Sequence, residues 1–191
     1  MFGHSCGGAV AQAYALKYPN STRSIILANT FISFQATQEA IAVRERFVQD
    51  FFPELWDQIE PLKKQPPSAA RDEKIDALMD SVPPSINYDY DPAKSDEFDS
   101  KHAEFNTDVL KAIWPTGVRT LDFRKSLATV KCPILVLAGR VDHIAPPRLT
   151  RQFRVYAPRA EFVMFEKSGH DTFLEEPAKL IQVLAPFLAK Q

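Results

Sequence analysis

Cysteine and glycine are scarce in this chain, and its sequence has no long hydrophobic run. The 191 residues include two cysteines, Cys6 and Cys132, which are too few and too far apart for a disulfide framework. The longest apolar stretches, such as residues 134–138, have the length of a strand, whereas about 20 residues are needed to cross a bilayer. We therefore expect reduced thiols and no membrane partner.

An excess of charge of either sign is also missing. The formal net charge is −1, which gives no electrostatic reason to expect nucleic acid or an anionic surface as a partner. The first residues lack a basic start followed by an apolar segment, so no signal peptide is predicted. No Cys/His cluster has metal-ligand spacing and no glycine-rich phosphate loop occurs, so we expect neither a metal nor another cofactor. These features indicate a cytoplasmic protein.

The order of helical and strand-like segments predicts an α/β fold. Hydrophobic residues make up 45% of the chain and charged residues 25%, as in ordinary globular domains. Small and apolar residues at helical spacing predict a helix over residues 7–18, and the apolar run at 23–29 predicts a buried parallel strand. After residue 124 this alternation returns, with strands expected at 134–138 and 161–166 and helices at 147–156 and 177–189.

The middle of the chain predicts a helical lid inserted into this core. Between residues 34 and 124 no strand-like run intervenes, and proline pairs separate the helical segments, which are expected at residues 37–52, 53–64, 69–82 and 96–114. The chain is thus divided into a core part at 1–33, a lid at 34–124 and the rest of the core at 125–191.

Three glycine-bearing segments each carry a candidate catalytic side chain. The first is Gly3-His4-Ser5-Cys6-Gly7, a G-x-S-x-G pattern in which a tight turn between strand and helix presents a serine. A serine hydroxyl is a weak nucleophile until a general base takes its proton. The pattern centres on Ser5, although the neighbouring Cys6 thiol is a rival nucleophile and a chance match is the plainer alternative.

The other two segments offer an acid and a base. Asp142 follows the predicted strand at 134–138, and His170 follows the one at 161–166. Each alone is typical of a capping aspartate or an ordinary loop histidine. Because the carboxyl ends of parallel strands share one edge of a sheet, where open α/β sheets place their sites, Ser5, Asp142 and His170 together predict a catalytic triad.

At these residues the sequence resembles the α/β-hydrolase superfamily, whose order of nucleophile, acid and histidine it repeats. GHSCGG resembles the nucleophile segment, LAGRVDHIAP the acid segment and EKSGHDTFLEEP the histidine segment. ALKYPNSTRSIILANT and the helical insertion are most similar to proline iminopeptidases and related lidded serine hydrolases. The resemblance implies hydrolysis of an ester or amide bond in a small molecule or short peptide, with perhydrolase or carbon-carbon hydrolase activity as alternatives.

The resemblance also implies roles for further residues. The backbone N–H of Cys6 would be one oxyanion-hole donor, and His4, Trp56 and Trp114 are expected to contact substrate. Aromatic side chains of the lid such as Phe47, Phe51 and Phe52 are further lining candidates. In an aminopeptidase, an acid of the lid would bind the substrate's amine, for which Glu39, Glu45 and Glu54 are unranked candidates.

The sequence departs from the superfamily at its start. Members have several strands before the nucleophile and a loop that supplies a second oxyanion donor. Neither feature has a counterpart in this sequence. We therefore interpret the chain as the C-terminal portion of such a hydrolase. The strand before Ser5 would be reduced to Met1 and Phe2, which leaves the strand at residues 24–28 as an unpaired apolar edge. This edge predicts self-association, and an inactive hydrolase fragment is the alternative to an enzyme.

Overall fold

Four parallel strands form one sheet in the computed structural model, which describes residues 1–82 and 120–190. The strands lie side by side in chain order: β1 (Phe2–His4), β2 (Ile25–Ala28), β3 (Ile134–Gly139) and β4 (Glu161–Phe165). In the register, Phe2 lies opposite Ile26, and Ile25 opposite Ile134. Every residue of β2 and β3 is buried, as expected for central strands that are covered on both faces.

One edge strand of this sheet is β1, and because β1 pairs with β2 the expectation that β2 would be unpaired is wrong. Residues 2–4 suffice for three parallel register pairs with β2, and the Met1 terminal amine donates to the carbonyl of Ser24 at 2.9 Å. Met1 and Phe2 are 48% and 42% exposed. Self-association through this edge stays a prediction.

Side chains alternate between the two faces of the sheet and so build two cores. Ile25 and Leu27 of β2 face one core, whereas Ile26 and Ala28 face the other, which follows from the two-residue repeat of a strand. The first core includes Ala11 and Ala15 of α1 (Cys6–Lys17), and the second is closed by Phe187 of α8 (Pro177–Ala189). Helices therefore cover both faces, as in an α/β fold.

The segment predicted to form a lid, called the lid below, begins with three helices, α2 (Phe34–Phe51), α3 (Pro53–Lys63) and α4 (Ala69–Asp80). Ser33 caps α2 by accepting a hydrogen bond from the amide of Ala36 at 3.2 Å, and Pro53 occupies the first turn of α3. These helices share a small core around Val48, Ile59 and Val82. The helix expected at residues 96–114 lies outside the described residues.

The helix expected over residues 147–156 is two short helices, α5 (Pro147–Thr150) and α6 (Phe153–Tyr156). Between them the backbone switches to hydrogen bonds that span three residues, such as Gln152 N–H to the Leu149 carbonyl at 3.0 Å. This tighter turn divides the segment, although its apolar pattern predicts one continuous helix. Another short helix, α7 (Thr172–Glu175), precedes α8. None of the helices in the described part is long and apolar enough to cross a membrane.

Candidate active site

Ser5 occupies a strained turn between β1 and α1. Its φ of 51° and ψ of −124° lie in a region that non-glycine residues rarely adopt. The turn is held from the end of β2, where the carbonyl of Ala28 accepts from Ser5 N–H at 3.0 Å and Thr30 Oγ1 donates to the Ser5 carbonyl at 2.6 Å. Strand and helix thus meet at a serine that the neighbouring strand fixes in place, as the motif predicts.

The two glycines of the motif differ in what they permit. A Cβ on Gly3 would lie 2.7 Å from the Gly7 carbonyl carbon and 2.8 Å from Gly8 Cα, so strand and helix approach too closely for a side chain. A Cβ on Gly7 would meet nothing within 4 Å. Only the first glycine is therefore required by close packing.

Asp142 and His170 form a buried hydrogen-bonded pair. The Asp142 loop follows β3 and the His170 loop follows β4, and His170 Nδ1 lies 3.0 Å from Asp142 Oδ2 and 3.2 Å from Oδ1. The His170 side chain is 7% exposed and the Asp142 side chain 0%. The amides of Ile144 and Ala145 donate to Asp142 Oδ1 at 2.8 and 2.7 Å. The sequence-predicted acid and base are thus in direct contact.

The electrostatics of the pair fit the roles of base and orienting acid that the sequence predicts. Burial would raise the pKa of Asp142, but the His170 charge and the converging donors hold that pKa below its usual value. Burial opposes a charged His170, yet the adjacent Asp142 carboxylate raises the pKa of the imidazole. An ionised carboxylate only accepts, so His170 Nδ1 donates to it and Nε2 is left as the basic atom.

Asn29 is the third buried member of this network, and the sequence reasoning did not identify it. It follows β2 directly and has a φ of 48°. Its Nδ2 donates to Asp142 Oδ2 at 2.9 Å and to the Gly169 carbonyl at 3.0 Å, while its Oδ1 accepts from Thr172 Oγ1 at 3.0 Å. The sequence did contain a signal for Asn29. It is a polar residue immediately after a fully apolar strand, and that strand lies beside the one that precedes Asp142.

Two glutamates hold the loop that carries His170. The Glu175 carboxylate accepts from Gly169 N–H at 2.9 Å and from Asp171 N–H at 3.2 Å, on either side of the histidine. Glu176 accepts from Ser168 Oγ at 2.6 Å. These two residues of the LEEP segment therefore fix the backbone of the base.

His4 packs against His170 and brings the end of β1 next to the base. The two ring centroids lie 4.7 Å apart, and His4 Nε2 donates to the His170 carbonyl at 2.9 Å. Burial and the neighbouring His170 charge lower the pKa of His4 to about 4, so it is neutral near pH 7 and forms no ion pair with Asp171 at 3.6 Å. Within the described part of the chain, the Ser5 hydroxyl makes no hydrogen bond.

Cys6 is placed as a backbone donor rather than as a thiolate. It is the first residue of α1, where backbone N–H groups have no acceptor within the helix. Burial raises the pKa of its thiol, so the sulfur is protonated near neutral pH. This environment disfavours the rival nucleophile and leaves the N–H open to an oxyanion.

The lid contacts this site through α2. Phe47 stacks on His143, the residue after Asp142, with ring centroids 4.5 Å apart and planes at 13°. Trp56 packs in the lid core around Val48, and Phe51 is 68% exposed. Contact of Trp56 with substrate stays a prediction, and Trp114 lies outside the described residues.

The three candidate lid acids have different surroundings. Glu45 pairs with Lys63 inside the lid. Glu39 lies 4.0 Å from Arg148 of α5, and Glu54 is exposed in the first turn of α3. None of these contacts reaches Ser5, Asp142 or His170.

Neither a metal cluster nor a cavity at the other end of the strands competes with this site in the part of the chain that the structure describes. In residues 1–82 and 120–190, no group of three His, Cys, Asp or Glu side chains is arranged to hold a metal ion. A cavity of about 250 Å³ lies between the start of β3 and Ala160, at the opposite end of the strands from Asp142. Parallel sheets place their chemistry at the carboxyl ends, so the edge that carries Ser5, Asp142 and His170 is the candidate site.

Comparisons with known proteins find hydrolases that are similar to this chain. The chain is 23% identical over 197 residues to a proline iminopeptidase from Heyndrickxia coagulans, covering 98% of the chain and 66% of that protein. It is 24% identical over 186 residues to a pimeloyl-(acyl-carrier protein) methyl ester esterase from Klebsiella pneumoniae (strain 342), covering 95% and 66%. The chain spans about 65% of the length of the curated relatives it matches.

A solved structure and a family model match the same fold. A hydrolase of α/β fold from Bacillus anthracis superposes with a TM-score of 0.67 at 21% identity, over 95% of this chain and 64% of that one. The family model described as α/β hydrolase fold matches residues 1–177. The chain therefore belongs to the α/β-hydrolase fold family.

Proposed function

We propose that this chain supplies the catalytic triad of a serine hydrolase that cleaves an ester or amide bond. The observation that carries the proposal is the buried hydrogen-bonded pair of Asp142 and His170, at the sheet edge where Ser5 sits in a strained turn. Two similar proteins, a proline iminopeptidase and a methyl ester esterase, support the class of bond. The chain spans part of its relatives' length, so the activity of the whole protein belongs to this proposal.

Ser5 Oγ attacks the carbonyl carbon while His170 Nε2 takes its proton. The imidazolium formed is stabilised by Asp142, which keeps the ring in the required tautomer through Nδ1. The tetrahedral oxyanion accepts a hydrogen bond from Cys6 N–H at the start of α1, where the helix dipole also favours negative charge. His170 then protonates the leaving alcohol or amine, and water hydrolyses the acyl-enzyme by the same route in reverse.

Substrates of both bond types test this proposal with matched variants. The measurement is turnover of p-nitrophenyl butyrate and of proline p-nitroanilide by the wild-type protein, Ser5→Ala and Cys6→Ala. We expect Ser5→Ala to lose at least about 10³-fold in kcat. Cys6→Ala keeps the backbone N–H and should stay within a few-fold of wild type.

Other outcomes separate the alternatives. Turnover that survives in Ser5→Ala but disappears in Cys6→Ala would assign the nucleophile to sulfur. Absence of turnover with a folded wild-type protein would favour an inactive fragment. If neither substrate is turned over but a fluorophosphonate probe labels Ser5, the protein should instead be tested with perhydrolase or carbon-carbon hydrolase substrates.

A further inference from the structure

The cavity at the amino-terminal end of the strands has an apolar floor. Its volume is about 250 Å³, and it lies between the segment that leads into β3 and the loop that joins α6 to β4. Its lining includes buried members of the first core, namely Leu127, Val130, Ile134 and Ala157. Drug-sized ligands occupy pockets of roughly 300–1,000 Å³, so this cavity suits a smaller molecule with an apolar part.

The exposed wall of the cavity carries positive charge. Lys131 and Arg159 both line it and are exposed, and its lining includes no acidic residue in the part of the chain that the structure describes. Among the described residues, neither cation forms an ion pair. Glu161, the acid that follows the lining segment, pairs instead with Lys190 at 3.2 Å. The charge at this cavity is therefore complementary to an anion.

Arg159 is held across the cavity wall. Its Nη2 donates to the carbonyls of Ala128 and Val130 at 3.3 and 3.2 Å, so the side chain reaches from the loop after α6 to the segment before β3. A guanidinium has five N–H donors, and these two bonds use only those of Nη2. The donors of Nε and Nη1 are left for a ligand, on a side chain whose position the backbone already holds.

We propose that this cavity binds a small carboxylate with an apolar tail. The carboxylate would accept hydrogen bonds from the Arg159 guanidinium, and Lys131 would add to the attraction. The tail would lie against Leu127 and Ile134, where it leaves water. This binding site is separate from the proposed active site, because Ser5 lies at the opposite end of the strands.

A series of ligands that differ in tail length and charge tests both parts of the proposal. Butyrate, hexanoate and octanoate are titrated into the wild-type protein by calorimetry, with octanamide as the neutral ligand of the same length as octanoate. We expect Kd to fall by up to about fourfold for each added CH₂. Octanamide should bind about tenfold more weakly than octanoate. Affinity that does not change with tail length, or equal binding of octanamide and octanoate, would overturn the proposal.

Variants locate the charge that is recognised. Arg159→Gln should weaken octanoate binding by about tenfold, and Lys131→Gln should weaken it by less. Arg151→Gln, which removes an exposed arginine outside the cavity lining, should leave the affinity unchanged. Equal losses in Arg159→Gln and Arg151→Gln would show attraction by overall charge and would contradict a defined site.

The thiol of Cys132 gives a second readout that needs no variant. Cys132 lines the cavity and is partly buried, so a bound tail should cover it. We expect octanoate, and not butyrate at the same concentration, to slow the alkylation of Cys132 by iodoacetamide, as followed by mass spectrometry of the peptide that contains it. Octanoate that binds without slowing this reaction would occupy another place, and the proposed site would be wrong.

Discussion

The carboxyl edge of the sheet and the lid satisfy their polar side chains in different ways. At the sheet edge, buried residues from three strand ends bond to one another: Asn29 follows β2, Asp142 follows β3 and His170 follows β4. In the lid, ion pairs such as Arg46 with Asp50 lie on the surface, and α4 buries none of its residues. Buried networks fix geometry, whereas exposed pairs contribute little.

Under the proposed function, this difference assigns the chemical step to the sheet edge and substrate choice to the lid. The sheet edge holds the reacting groups in one arrangement, and the lid reaches it through few contacts, among them Phe47 on His143 and Glu39 near Arg148. Changes at the edge should therefore act on kcat and on folding. Changes in the lid should act on the choice of substrate.

The largest effect is expected from Asp142→Asn. An asparagine fills the same space, but its amide cannot hold His170 in the tautomer that leaves Nε2 basic. We expect kcat to fall by about 10⁴-fold in ester hydrolysis, with circular dichroism unchanged. A loss of less than about tenfold would mean that the edge does not carry the chemistry.

Asn29→Ala tests whether the network positions the acid. The substitution removes the donor to Asp142 Oδ2, which makes the carboxylate a better partner for a protonated His170. The pKa of His170 should rise further, so the acidic limb of kcat/KM moves to higher pH, with about a 10- to 100-fold loss in kcat. A purely structural role would lower stability without moving the limb. Thr150→Ala, which changes another buried hydroxyl hydrogen-bonded to the backbone, is the control for stability.

Gly3→Ala and Gly7→Ala compare two glycines of one motif. A methyl group at Gly3 meets the backbone of α1, so we expect a loss of about 3 kcal/mol in the free energy of unfolding. At Gly7 the methyl meets open space on a helix, where alanine is favoured over glycine by about 1 kcal/mol. Chemical denaturation measures both. Equal destabilisation would contradict the close packing of β1 and α1.

His143→Phe tests the point where the lid meets the edge. The folded-state pKa of His143 is about 4, below the unfolded value of about 6.5, so the unfolded chain binds more protons between these pH values. Protonation therefore destabilises the fold as the pH falls through this window. Phenylalanine keeps the stacking on Phe47 and should reduce the acid-induced loss at pH 4 by about 3 kcal/mol. Identical pH profiles of unfolding would show that His143 is not buried as a neutral ring.

Much of the sheet was predictable, because buried parallel strands have continuous apolar sequences. The runs IILA and ILVLAG became β2 and β3, and the glycine-bearing segments placed Asp142 and His170 in contact. Whether β2 would be paired was not predictable from local pattern. Its partner β1 has three residues, and their pairing depends on register with β2 rather than on their own propensity.

Contacts between segments that are distant in the chain could not be predicted from the local sequence pattern. The side chain of Asn29 can bond to Asp142 only because β2 and β3 are neighbouring strands. The two residues lie 113 positions apart in the chain. The stacking of Phe47 on His143 joins the lid to the acid loop and has no periodicity of its own. Such pairings follow from topology and packing, which a single sequence does not specify.

Labelling with a fluorophosphonate tests the central claim most directly. The probe reacts with a serine only when a base activates it, and mass spectrometry of the digested protein locates the adduct. We expect one adduct, on the peptide that contains Ser5, and a labelling rate that falls by at least about 10³-fold in His170→Ala. An adduct on another residue, or an unchanged rate in His170→Ala, would contradict the assignment of Ser5 as a nucleophile activated by His170 and Asp142.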